Sequence, residues 1–165
     1  TISTVFQTFA MLKGGKIYKN HRIEQTFIND TVPDFDGFAF LNTSCLINIA
    51  GLFSRQCFNH CAFCTIPGAT GGCYRKMPIS RVFEIMCRLN EKYGTRVFSF
   101  VDETFEGKRM EQLADEINAS GKTFFWHGET RFSPTLSTDV FNKIYQSGCS
   151  RFSLASSHTT KEFLI

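Results

Sequence analysis

Three of the chain's seven cysteines fall within eight residues, CFNHCAFC, from Cys57 to Cys64. The C-x3-C-x2-C spacing lets one short loop aim three sulfurs at a common centre, where adjacent thiolates repel one another unless a cation holds them. Structural zinc takes four ligands, commonly from two separated pairs. Cys73 or His60 would be the fourth here, but neither stands at the usual distance from a second pair. An iron–sulfur cluster suits a compact cysteine loop better. With only Cys57, Cys61 and Cys64 as ligands, one iron of a four-iron cluster lacks a protein ligand and is open to chemistry. The alternative is a non-catalytic module in which Cys57, Cys61, Cys64 and Cys73 close around zinc or a cluster for structural or redox-sensing purposes. Cys45, Cys87 and Cys149 are isolated and read as small buried hydrophobes.

The elements that must position this loop follow from hydrophobic periodicity. "CLINIAGLF" from Cys45 is an apolar run of strand length, and the cysteine loop comes directly after it. "ISRVFEIMCRLNEKYG" places Val82, Ile85, Met86 and Leu89 on one helical face, with Gly94 at the C-terminal stop. "RVFSFVD" from Arg96 to Asp102 predicts a second strand. "KRMEQLADEINASG" predicts a second helix, with Met110, Leu113, Ala114 and Ile117 inward and Gly121 as its stop. "TFFWHGE" is a third strand. "STDVFNKIYQSG" is a third helix with Ser137 or Thr138 as N-cap and Val140, Phe141 and Ile144 inward. "RFSLAS" from Arg151 is a fourth strand, and "HTTKEFLI" is expected to begin a fourth helix. Alternating strands and helices imply βαβ units and a parallel sheet. The cysteine loop, "DETF" and "HGETR" all follow strands, so they should gather on one sheet edge, where such folds put their chemistry.

Composition excludes several classes. The 165 residues are 42% hydrophobic and 20% charged, ordinary for a globular domain. The longest apolar run is about half the roughly 20 residues that a spanning helix needs, so no membrane is expected. A net charge of +3, spread along the chain, does not indicate nucleic acid. An odd, clustered set of cysteines fits reduced thiols and a cytoplasmic setting better than a disulfide scaffold. The first 44 residues, with "KGGK" and "NDTVPDFDG", read as a linker or the tail of a preceding domain. With no opening methionine and an end inside "KEFLI", the chain reads as a fragment of a longer protein.

Cys57, Cys61 and Cys64, with the aromatic Phe63 just before the last cysteine and a strand before the loop, resemble the C-x3-C-x-aromatic-C signature of radical S-adenosylmethionine (SAM) enzymes. That resemblance implies that the three cysteines hold a [4Fe–4S] cluster whose open iron chelates the amino and carboxylate groups of SAM. Reductive cleavage of SAM would then give methionine and a 5′-deoxyadenosyl radical that takes a hydrogen atom from substrate. The cofactors carry the chemistry, and the protein supplies position and dryness.

The resemblance extends over most of Cys45 to Ile165. Phe63 would contact the adenine region. Asp102 and Glu103 in "FVDETF" stand where the family binds the SAM amino group, in a form similar to the "DD-x-F" version of cobalamin-dependent members. A helix-capping acidic pair is the plainer reading of these two carboxylates. Arg131 in "WHGETRFSP" resembles a family arginine near the SAM carboxylate, which a guanidinium grips bidentately. Ser153 would reach the ribose. His127 and Glu129 share that edge without an assigned role. The family's fourth-strand "G-x-E-S" has Ala155 at the glycine and Ser157 at the glutamate here, a departure that shortens or removes one polar contact.

The expected fold is therefore α/β, a partial (β/α) TIM-like barrel of the radical SAM type, truncated after about four βα units, with its core over residues 45–165. "VPDFDGF" resembles the connector from a cobalamin-binding domain in one subfamily, so cobalamin, through a domain not in this chain, is a suggested further cofactor. The resemblance also implies a small-molecule or peptide substrate and an electron donor of the reductase or flavodoxin type.

Overall fold

The computed structural model describes residues 10–13, 16–19, 34–36, 48–51, 53–59, 61–66, 74–134, 136–155 and 160–164. In chain order the strands and helices are β1 (Ala10–Lys13), β2 (Lys16–Lys19), β3 (Asn48–Gly51), β4 (Ser54–Arg55), β5 (Arg75–Lys76), α1 (Ile79–Tyr93), β6 (Val97–Phe100), α2 (Gly107–Ser120), β7 (Phe125–Arg131), α3 (Thr138–Gln146), β8 (Cys149–Ala155) and β9 (Thr160–Leu164). The main sheet has the order β3-β6-β7-β8-β9. Its first four strands are parallel and run in chain order, with register pairs such as Gly51↔Phe100, Ser99↔His127 and Glu129↔Ser153. The result is a mixed α/β fold with a parallel sheet, and among the described residues the sheet is open.

The helices form where the apolar spacing predicts them. Ile79, Val82, Ile85, Met86 and Leu89 of α1 are buried, as are Met110, Leu113, Ala114 and Ile117 of α2. They share one core with Phe98, Phe100, Trp126, Phe152 and Leu154 of the sheet. Each fully buried Val, Ile, Leu, Met or Phe among them contributes about 1.5–3 kcal/mol. Gly94 and Gly121 end α1 and α2 in the left-handed conformation, at φ 68° and 67°. Ser137 is the N-cap of α3, its hydroxyl accepting from the Val140 N–H. In α3, Val140 and Ile144 are buried, while Phe141 is only partly so and stacks on Phe152 at 5.4 Å.

One expectation is corrected. The segment after β8 is a strand, not a fourth helix: β9 pairs antiparallel with β8, from Arg151↔Leu164 to Ala155↔Thr160. The free edge of β8 accepts the strand that directly follows it, and that antiparallel pairing overrides the expected alternation. Within the first 44 residues lies a hairpin. β1 and β2 pair antiparallel, with Lys13 opposite Lys16 and two residues between them. The same stretch docks on the core: Phe35 donates its N–H to Tyr93 Oη at 2.9 Å and packs edge-on against that ring.

The sheet has two unlike faces. Along β7, Trp126, Gly128 and Thr130 are buried toward the helices, while His127, Glu129 and Arg131 alternate onto the other side. Ser99 of β6 joins that second face through His127, and the pairing puts Arg151 and Ser153 of β8 there as well. Parallel strands normally bury both faces in apolar contacts. Here one face carries serine, histidine, glutamate and arginine, the residue types of a site rather than of a core.

Candidate functional site

The cysteine loop leaves the sheet through a short, tightly held segment. Phe53 and Ser54 follow β3, and both bond to the carboxylate of Asp102, just beyond β6: Phe53 N–H donates at 3.2 Å, and the Ser54 hydroxyl donates as well. Asp102 is buried, and burial pushes its carboxyl above the ordinary range, with the Ser54 and Phe53 hydrogen bonds and Arg109 opposing. Gln56, fully buried, then takes φ 73°, a left-handed turn that redirects the chain immediately before Cys57.

Cys57, Cys61 and Cys64 are half-buried free thiols. Cys57 Sγ accepts from Asn59 twice, from the backbone N–H at 3.4 Å and from Nδ2 at 3.3 Å. Cys64 N–H donates to the Cys61 carbonyl at 3.0 Å, closing a turn with Phe63 at its apex, 77% exposed. Arg131, at the end of β7, donates from Nη1 to Cys61 Sγ at 3.2 Å. The loop is thus joined to two strand ends, through Asp102 and through Arg131. Among the described residues, no three histidine, cysteine, aspartate or glutamate side chains stand together at metal-holding spacing. Cys73 and His60, the alternative fourth ligands, lie outside the described residues, as do Cys45 and Ser157. Cys149 is buried, its thiol pushed up to about 12 by burial, and Cys87 is half-buried with its thiol raised for the same reason.

Beside the loop lies a cavity of about 550 Å³. It joins the segment just beyond β6 (Asp102, Glu103), the middle of β7 (His127, Glu129) and the middle of β8 (Ser153), and Ile66 reaches it from the segment after Cys64. Glu103 lines the cavity, and its Oε2 is buried without a hydrogen-bond partner among the described residues. A buried carboxylate oxygen left without a donor is costly. His127 Nε2 lies 2.8 Å from Ser99 Oγ, and burial, with Arg151 nearby, holds its pKa below the ordinary value.

The expected residues separate into two groups. Glu103 and Ser153 share the cavity, together with His127 and Glu129. Asp102 also borders it, but its carboxylate bonds inward to Phe53 and Ser54 rather than capping a helix. Arg131 and Phe63 belong to the cysteine loop. Sequence reasoning missed Ser99, Ile66 and Gln56: a serine within a strand, an aliphatic residue after the motif and a positive φ leave no spacing signal. It also missed the buried Arg109, which donates to the Met77 carbonyl at 2.8 Å.

No helix among the described residues is long and apolar enough to cross a membrane. No family model matches the chain, nor does any curated protein.

Proposed function

We propose that this chain is the N-terminal part of a radical SAM core, a partial (β/α) barrel whose polar sheet face is the inside. Parallel strands wound in chain order with helices on one side support that reading. They differ from doubly wound sheets, whose strand order reverses at a switch point. The observation that carries the functional reading is the joining of the cysteine loop to the cavity: Ile66, two residues past Cys64, lines the same space as Glu103 and Ser153.

The donor chemistry fits a [4Fe–4S] cluster on Cys57, Cys61 and Cys64. All three are free, partly exposed thiols, two of them already accept hydrogen bonds, and such bonds to the sulfurs tune cluster potentials. When bound, the cluster supplies the electron that cleaves SAM to methionine and a 5′-deoxyadenosyl radical. The chain's own residues bind and orient. Glu103 accepts the SAM ammonium on the carboxylate oxygen that otherwise lacks a partner, a charge-assisted bond in a partly buried site. Ser153 offers a hydroxyl to the ribose, and Phe63 an aromatic face to the adenine. Asp102 fixes the base of the loop rather than touching the ligand.

The substrate, a small molecule or peptide, would enter over the same face. A reductase or flavodoxin-type protein would deliver the electron, and cobalamin through a separate domain remains part of the proposal. Alanine at Cys57, Cys61 or Cys64 should abolish iron retention after anaerobic reconstitution, while Cys73→Ala retains it. Equal loss at all four positions would favour a closed zinc or iron–sulfur module instead.

A further inference from the structure

We propose that Arg131 is a positioning residue that sets the reduction potential of the cluster through Cys61, rather than a grip on the SAM carboxylate. The inference rests on the radical SAM reading above. Arg131 is the last residue of β7, two positions past Glu129 on the same sheet face, yet its guanidinium is not among the groups that line the cavity. It reaches the cysteine loop, donating from Nη1 to Cys61 Sγ at 3.2 Å across 70 positions of sequence. Cys61 also opens the turn closed by Cys64 N–H at 3.0 Å, so one strand-anchored cation steadies the turn that carries two of the three sulfurs.

The physical consequence concerns charge. A flavodoxin-type donor would pass one electron to the cluster, which would oxidise the donor and add a negative charge to the cluster, with no bond made or broken. A hydrogen bond and a positive charge at a ligand sulfur stabilise the reduced form more than the oxidised one, which raises the midpoint potential. A rigid fork on a strand end holds that charge more firmly than a flexible ammonium does. The potential therefore depends on Arg131 even though Arg131 touches neither substrate nor SAM.

The test uses the full-length chain, reconstituted anaerobically and titrated with dithionite while the reduced-cluster electron paramagnetic resonance signal is followed. Circular dichroism checks that each variant is folded. The midpoint should be more negative in Arg131→Gln than in the parent, with Arg131→Lys, which keeps the charge but not the fork, in between. If Arg131→Gln holds no iron, Arg131→Lys decides alone, by a negative shift or none. Equal midpoints in every variant that carries a cluster overturn the inference and leave the radical SAM reading standing. A parent chain that assembles no cluster overturns that reading, and this inference with it.

Discussion

Asp102 takes the backbone N–H of Phe53 on its carboxylate at 3.2 Å, joining the end of β6 to the exit of β3 across 49 positions of sequence. Phe53 and Ser54 stand just ahead of the cysteine loop, so this side chain helps fix where the loop starts, together with the Met77 N–H bond to the Phe53 carbonyl at 2.9 Å.

Replacing Asp102 with alanine strands two buried donors, each at a cost of about 1–3 kcal/mol. Asp102→Asn keeps an acceptor oxygen and should cost less. The two also differ with pH. Burial raises the carboxyl above its ordinary 3.8 in the folded chain, so its contribution is present below 3.8 and fades as pH rises through the higher folded value. Urea denaturation of Asp102→Asn should show that slope removed, and an unchanged pH profile would count against the assignment.

A second pH effect has the opposite sign. The Asp36 N–H, the Tyr93 hydroxyl and Lys92 pull Asp34 from 3.8 down to about 2. The docking of residues 34–36 on α1 is therefore favoured above 3.8 and lost as pH falls through about 2. Tyr93→Phe removes both the donor to Asp34 and the acceptor for the Phe35 N–H, so release should move to higher pH. Pepsin cleavage at Phe35, normalised to a free peptide of the same residues, reads this directly. Identical pH curves for the two chains would refute it.

Gly148, between α3 and β8, has φ 88°, and a Cβ there would overlap the Phe124 carbonyl oxygen. The left-handed backbone alone costs another residue about 1–3 kcal/mol, and the overlap adds to that. Gly148→Ala should lower the thermal midpoint sharply. Ala at Gly121, where nothing lies within 4 Å of the added carbon, should lower it less.

Helix faces were legible because each needs only local spacing. Leu89 and Ile117 fall inward as the 3.6 period requires, and Gly94 and Gly121 stop their helices as their freedom at positive φ allows. β9 was not legible, because a short run with Thr160 and Phe163 beside Lys161 and Glu162 suits either element, and only the β8 edge decides. The β1–β2 hairpin carried a signal in the two glycines between Lys13 and Lys16, but too few alternating residues flank it to declare a strand. At the site, the cysteine spacing was readable from chemistry alone. The partners Arg131–Cys61, Asp102–Phe53 and Ser99–His127 were not, since each joins elements that only the sheet register brings together.

The most direct measurement is electron paramagnetic resonance of the anaerobically reconstituted, reduced full-length protein with and without SAM. A four-iron signal whose shape changes on adding SAM is expected. In Glu103→Gln the same cluster signal should need about 10–100-fold more SAM for that change, as expected for a lost charge-assisted bond. A cluster spectrum indifferent to SAM in the parent would contradict the central claim.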